Sequence, residues 1–309
     1  MTADTPLAVQ VVDTMEQIDG RHPGYRRAHA RGACFTATFT PTGEAAKYTT
    51  AAHLTGEPVS ATVRYSNGSG NPAVPDTQPG GRGMATKFHL PDGSATDLIG
   101  VNLPRFLVAT PDQFLALVRA LAADQAAGKD DKAHLGAFLA EHPGSVPAFQ
   151  ALGAMGVPAS FGTTVYRALH AFVWVNADGE RQAVRYRWAP DLGEQNLTAD
   201  QAVNEDPQFL VGELVERLAA GPVSFTLHVT LADPSDPTND ATKVWPEDRP
   251  EIVAGTLTVT GEVDDQAHWE AQVFDPTNLT PGIELSDDPL PGLRHSAYSV
   301  SYGRRSHGE

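Results

Sequence analysis

The strongest pattern along the chain has a period of two. Residues 33–39 (ACFTATF), 60–66 (SATVRYS) and 84–90 (MATKFHL) are short, rich in β-branched and aromatic side chains, and bounded by Gly, Pro and Asp, which predicts strands. Asp92-Gly93 turns the third of them into ATDLIGV at 95–101, a hairpin signature. A second hairpin runs from AFVWV (171–175) through Asn176, Ala177, Asp178 and Gly179 into QAVRYRW (182–188). Phe225, Leu227, Val229 and Leu231 alternate with polar positions, as a half-buried strand requires. GTLTVTGEV (255–263) and HWEAQVF (268–274) continue the series. That makes about eight strands, enough to close a barrel.

A period near 3.6 takes over in separate blocks. Thr110, Pro111 and Gln113 supply an N-cap, a proline at the first helical position and a capping-box glutamine. Phe114, Leu117, Val118 and Leu121 then share one face, predicting a helix to about Ala126. Shorter helices broken at Pro143 and Pro147 are expected over 131–155. Thr198 and Gln201 form another capping box. Asp206-Pro207 opens a helix with Leu210, Leu214 and Leu218 inward, closed by Gly221-Pro222. Leu290 to Arg305 has mixed helical character. Without repeats or long linkers, the expected fold is α+β: an antiparallel barrel with inserted and appended helices, in one domain spanning 1–309.

Composition acts mainly by exclusion. Acidic residues outnumber basic ones 38 to 22, a formal charge of −16 that repels nucleic acid and anionic membrane surfaces. No apolar run reaches about 18 residues, so no membrane-spanning helix is expected. The first twenty residues carry Asp4, Asp13, Glu16 and Asp19 and lack a basic-then-apolar leader, which points to the cytoplasm. Cys34 is the sole cysteine, so an intrachain disulfide and cysteine-built zinc or iron–sulfur sites are ruled out; in its strand it reads as a small buried hydrophobe.

Three clusters bear on chemistry. In Arg26-Arg27-Ala28-His29-Ala30-Arg31 the arginines disfavour the protonated imidazole, leaving a neutral base beside a place for an anion. A solvated basic turn accounts for the same residues. Arg294 and Tyr298 share a helix face, and a guanidinium beside a phenol favours the phenolate, a hard ligand for ferric iron. A surface arginine stacked on a tyrosine fits the same spacing. Asn102, in GVNLP after a strand, is placed either to bond a ligand or to cap a turn. Signatures of serine hydrolases and P-loop proteins are absent.

Taken in order, RRAHARGACFTATFT, AAKYTTAAHL, VRYSNGSG, GGRGMATKFHLPDG, TDLIGVNLPRFLV, HAFVWVNADGE, TKVWPEDRPEIVAGTLTV, FDPTNLTPGIELSDDPL and LRHSAYSVSYGRR resemble the haem catalase family over roughly residues 20–309. The resemblance implies haem b, with Tyr298 as the proximal iron ligand supported by Arg294; tyrosinate ligation in catalase is an established case. It implies His29 as the distal histidine, oriented by Ser66. Arg26, Arg64 and Arg305 fall on positions that pair with haem propionates, and Phe114 on a phenylalanine stacked over the haem.

The departures carry expectations of their own. The family's distal asparagine position holds Val101, with Asn102 one residue on; a local bulge would turn Asn102 inward as the third distal residue. Gly68 and Gly80 stand where the family has a valine and an aspartate lining the channel, so a widened channel is expected. Residues 1–20 replace the long N-terminal arm, and no C-terminal helical part or NADPH-binding surface is present, so NADPH is not expected. The implied activity is a peroxidase using a small organic electron donor, preferring organic hydroperoxides, with hydrogen peroxide dismutation weak. The alternatives are rearrangement of fatty-acid hydroperoxides of the allene oxide synthase type, against which Ala28 counts because those enzymes use a threonine there, and haem binding without turnover. A homo-oligomer is expected, with a dimer as the specific guess.

Overall fold

The computed structural model describes residues 5–128 and 132–308. Residues 1–4 of the expected N-terminal extension and residue 131, at the edge of the expected helical stretch, lie outside them. In chain order the structure contains α1 (Leu7–Asp19), β1 (Gly32–Pro41), α2 (Ala52–Thr55), β2 (Val59–Asn67), β3 (Arg82–His89), β4 (Ala95–Val101), α3 (Pro111–Ala127), α4 (Ala133–Glu141), α5 (Val146–Gly153) and β5 (Val157–Pro158). There follow β6 (Tyr166–Val175), β7 (Arg181–Pro190), β8 (Asn196–Leu197), α6 (Ala199–Asn204), α7 (Phe209–Ala220), β9 (Val223–Leu231), β10 (Glu251–Glu262), α8 (Gln266–Ala271), β11 (Ile283–Leu285) and α9 (Leu290–Ser306).

The sheet runs β11-β6-β4-β3-β2-β1-β10-β9-β7 and closes through β6–β7, so eight antiparallel strands form a barrel with β11 added to β6. Closure leaves the barrel itself without an open edge. Strict alternation fills the interior: Phe225, Leu227, Val229 and Leu231 of β9 are all buried and meet Tyr65, Phe35, Phe39, Tyr166 and Trp188. Most of the aromatic rings pack edge-on or tilted, for example Phe39 and Phe88 with centroids 5.3 Å apart at 74°, while Tyr65 stacks on Phe161. A second apolar cluster lies outside the barrel, where α1, α3, α4 and α9 meet.

Local chemistry accounts for the helix starts. Thr110 Oγ1 accepts from the Gln113 amide at 3.2 Å, and Gln113 Oε1 accepts from the Ala109 amide at 3.0 Å. Thr198 and Gln201 form the expected reciprocal box. Asp206 Oδ1 accepts from the Gln208 amide at 2.7 Å in the turn ahead of the helix, which begins at Phe209, two residues after the expected Asp206-Pro207 start, without a side-chain cap.

One reading needs correction. HWEAQVF is not a strand: Asp265 Oδ1 accepts from the His268 amide at 2.9 Å and starts α8, so a capping bond outweighs the short run of alternation. Within the expected N-terminal extension, residues 7–19 form an amphipathic helix that packs on α3 and α9 and buries Val11 in their apolar cluster.

Candidate active site

A cavity of about 420 Å³ lies between the barrel wall and the helical cluster. Most of its wall is apolar, with Val11, Val12 and Met15 from α1, Ile99 and Val101 from β4, and Phe114 from α3 among its contributors. His29, Ser66, Arg26, Arg64, Phe114, Arg294, Tyr298 and Arg305 line it, so the fold gathers all but one of the expected site residues.

His29 sits where its backbone is least comfortable. Its φ of 54° makes it the one non-glycine residue with positive φ among the described residues. A left-handed conformation costs about 1–2 kcal/mol, and histidine is among the residues that tolerate it best. The surrounding bonds hold it there: its amide donates to the Gly68 carbonyl at 3.2 Å, and Nδ1 lies 3.0 Å from Ser66 Oγ. The pairing of β1 with β2 places Gly32 opposite Ser66, which brings the segment just before β1 to that hydroxyl. Gly83 is required beside them, because a Cβ there would lie 2.7 Å from Ser66 Oγ and 2.8 Å from His29 Nδ1. Burial, followed by the positive charges of Arg64, Arg294 and Arg26, pushes the imidazole down to about 3. It is therefore a neutral base at physiological pH.

Helix α9 supplies the facing chemistry. Leu290, Leu293, Arg294, Ala297, Tyr298, Ser301 and Arg305 recur every three or four residues, so one stripe of the helix faces the cavity. Arg294 donates to the Tyr298 phenol oxygen from Nε at 3.1 Å and from Nη2 at 2.7 Å. Both bonds converge on one phenol oxygen, so the guanidinium fixes its position on the cavity wall. Among the described residues, no group of three or more His, Cys, Asp or Glu is arranged to hold a metal ion. The phenol oxygen of Tyr298 is a hard donor of the kind that suits ferric iron.

At one end of the cavity Arg26 and Arg64 converge on a single carboxylate, Glu270, with Arg305 beside them. Arg64 donates to it from Nε at 2.7 Å and Nη2 at 3.0 Å, and Arg26 from Nη1 at 2.5 Å. Arg305 reaches the carbonyls of Glu270, Ala271 and Gln272, and its Nε is buried without a partner. Burial opposes ionisation of Glu270, but Arg64 and Arg26 hold its carboxyl below the usual range. The same crowding, with burial leading, pulls Arg26 down to about 9. Two guanidinium groups on one carboxylate, with a third nearby on backbone carbonyls, leave an excess of positive charge at this end. Cys34 is fully buried with Sγ 3.7 Å from Glu270 Oε1, and burial and that carboxylate push its thiol up to about 12.

Other placements differ from expectation. Asn102 does not line the cavity: its Oδ1 accepts from the Arg82 amide at 2.6 Å, and the inward position belongs to Val101. No bulge interrupts the β3–β4 register to turn it inward. Gly80 is not on the wall; Gly81 is. A Cβ at Gly68 would lie 2.9 Å from the Gly81 carbonyl oxygen, so that glycine serves the close approach of two chain segments rather than channel width.

Four residues that the sequence did not single out complete the surroundings. Glu270 was hidden in the misread strand. His170, buried in β6, places Nδ1 2.8 Å from Asp288 Oδ2, and Asp288 Oδ1 accepts from the Leu290 amide at 2.9 Å at the start of α9. Burial keeps His170 below the usual imidazole value in spite of Asp288. Glu16 of α1 ties Arg27 at 2.7 Å to Arg304 of α9 at 2.8 Å. The bonds that define their roles join distant residues, Glu270 to Arg64, His170 to Asp288 and Glu16 to Arg304, beyond the reach of a local sequence signal.

The comparisons agree with this geometry. The profile of the family described as Catalase matches residues 6–308. A catalase-related peroxidase of Mycolicibacterium paratuberculosis is 40% identical over 301 residues, covering 96% of this chain and 94% of that one. A second, from Synechococcus elongatus, is 33% identical over 300 residues, covering 97% and 88%. A fungal catalase structure superposes with a TM-score of 0.82 at 23% identity; the match covers 96% of this chain, which spans 62% of that larger one. Barrel, helices and an end-to-end family match converge on one assignment: the chain belongs to the catalase family, haem-dependent oxidoreductases that act on peroxide.

Proposed function

We propose that this protein is a haem b-dependent peroxidase of the cytoplasm that reduces hydroperoxides, organic ones preferentially, using a small organic electron donor. One observation carries the reading: two bonded pairs, His29–Ser66 and Arg294–Tyr298, stand on the walls of one cavity of about 420 Å³. That volume lies in the range of small-molecule and cofactor pockets. The excess of guanidinium over carboxylate at Arg26, Arg64 and Arg305, with the buried unpartnered Nε of Arg305, fits the two propionates of haem. We read residues 1–309 as one haem domain, because both chain ends and the barrel contribute to this cavity, and we propose a homodimer in keeping with the family's oligomeric habit.

Haem bound there would supply the iron at which the peroxide O–O bond is cleaved and through which the donor's electrons pass. The chain's part is acid–base and electrostatic. Tyr298 would hold the iron, with Arg294 stabilising the oxygen's negative charge. Because Ser66 occupies Nδ1, Nε2 of His29 is the ring atom left to accept the hydroperoxide proton and return it to the departing oxygen. Overall the hydroperoxide takes up two electrons and two protons and yields an alcohol and water, while the donor is oxidised by two electrons. The apolar wall, and Val101 in place of an amide, support organic substrates and weak dismutation of hydrogen peroxide.

The test is reconstitution with haem, then titration with a hydroperoxide and a donor dye while oxygen release is followed. A Soret band that Tyr298→Phe alters and His29→Ala preserves, with peroxide reduction lost in His29→Ala, is the expected result. Absence of a Soret band after haem addition overturns the reading. Oxygen release from hydrogen peroxide that outpaces donor oxidation overturns the proposed preference.

A further inference from the structure

The start of β6 alternates cleanly. Tyr166 and Ala168 enter the barrel core, which turns Arg167 and Leu169 toward the cavity, and both line it. Among the described residues the Arg167 side chain forms no ion pair or hydrogen bond. The carboxylate acting on it most strongly is Glu194, which is exposed and not bonded to it, and its register partner on β7 is another cation, Arg187, bonded to Glu251. Burial disfavours the charge on Arg167, and Arg187 adds to that. A half-buried guanidinium on a largely apolar wall, without its own counter-ion, calls for an anion from elsewhere.

Register fixes where that anion would lie relative to the chemistry. Arg167 stands opposite Val101, Val101 opposite Gly83, and Gly83 opposite Ser66. These four residues form one row across adjacent strands, with their side-chain positions on the same face. Strands are about 4.8 Å apart, so the Arg167 and Ser66 backbones are about 14 Å apart, less the reach of the arginine side chain. Between them lie a valine and a glycine; the His29 imidazole itself packs over Gly83, so the apolar stretch from the arginine to the histidine is that of Val101. At the far end of the row Ser66 holds His29.

We propose that Arg167 anchors the carboxylate of a substrate that carries its hydroperoxide several carbons away, so that the favoured substrate class is a hydroperoxy fatty acid. This rests on the peroxidase reading at His29. The chain of such a molecule would lie along Val101, with its carboxylate at Arg167 and its hydroperoxide at the imidazole. Methyl esters and small neutral hydroperoxides would forgo the ionic contact.

The experiment uses the haem-loaded protein and compares a hydroperoxy fatty acid with its methyl ester, in wild type, Arg167→Gln and Arg167→Lys. The readout is the acid-to-ester ratio of kcat/KM. Loss of a hydrogen bond to a charged group predicts a ratio on the order of 10 or more in wild type, close to 1 in Arg167→Gln through a raised KM for the acid, and partly restored by lysine. A ratio near 1 in wild type, or a ratio unchanged by Arg167→Gln, overturns the proposal while leaving the peroxidase reading intact. Failure to reduce any hydroperoxide overturns the peroxidase reading instead. Binding of a saturated fatty acid of the same length tests the anchor without turnover: equal affinity in wild type and Arg167→Gln overturns it.

Discussion

Nδ1 of His29 lies 3.0 Å from Oγ of Ser66, a bond joining residues 37 positions apart in the chain. It orients the one non-glycine residue with positive φ among those described. Removing the hydroxyl in Ser66→Ala releases the ring, and a neutral hydrogen bond of about 1 kcal/mol translates into a roughly five-fold fall in kcat/KM. His29→Ala removes the base itself and costs about 10²–10⁴-fold. Steady-state peroxide reduction measures both; near wild-type turnover in His29→Ala would take the histidine out of the chemistry.

Gly83 is the packing condition for that pair. An alanine would put its methyl 2.7 Å from Ser66 Oγ and 2.8 Å from His29 Nδ1, and neither atom has free travel. Gly83→Ala is expected to destabilise by about 1–3 kcal/mol, as overpacking does, and to lower kcat/KM. Urea unfolding and peroxide kinetics on the same preparation check both parts. A stable, fully active variant contradicts the close packing.

The pH dependence follows from two buried histidines. His29 and His53 are each pushed down to about 3, first by burial. An unfolded histidine titrates near 6.5. Below that value the unfolded chain binds protons that the folded one refuses, so stability is full above pH 6.5 and is lost as pH falls from there toward 3. The slope approaches about 1.4 kcal/mol per pH unit for each histidine. His53 has Nδ1 buried without a partner and packs 4.5 Å from the Phe88 ring, so His53→Phe should flatten the acid limb. Urea unfolding at pH 7.5 and pH 5 reads the difference; an unchanged slope excludes His53 as a contributor.

Glu16 fastens α1 over the cavity. Its carboxylate accepts from Arg27 and Arg304, and Arg304 also reaches Asp13 at 2.5 Å. Breaking a buried pair by removing one partner costs about 3–5 kcal/mol. Glu16→Gln should therefore lower Tm by several degrees. Because Val11, Val12 and Met15 form part of the wall, it should also speed the loss of bound haem. Apomyoglobin capture of released haem measures the second effect, and an unaltered release rate rules α1 out as a retaining wall.

Asn102 offers a contrasting case. Its carboxamide is occupied by the Arg82 amide at 2.6 Å and does not line the cavity. Asn102→Ala is expected to cost about 1 kcal/mol of stability while changing kcat/KM by less than about two-fold. A hundred-fold loss of activity would return the amide to the chemistry.

The barrel was legible because its strands alternate and its turns carry Asp-Gly or Gly-Pro punctuation. Phe225 to Leu231 reads as half-buried in sequence and is so in the structure. The mixed helical character of Leu290 to Arg305 resolves into helix α9, which sets Arg294 and Tyr298 on one face. Glu270 was missed because HWEAQVF has the strand period, and the decisive Asp265 cap competes with that pattern over only a few residues. Asn102 and Gly80 were each misplaced by one residue, which in an extended chain reverses the side.

By itself, then, the sequence determined the elements, the family resemblance and the kinds of side chain available for chemistry, since these follow from local period, capping and motif order. Only the tertiary structure decided which of them meet. Barrel closure sets Arg167, Val101, Gly83 and Ser66 in one row, and α1 and α9 close over that row through Glu16 and Arg304. Such contacts depend on strand register and helix packing between residues far apart in the chain, where no local pattern reaches.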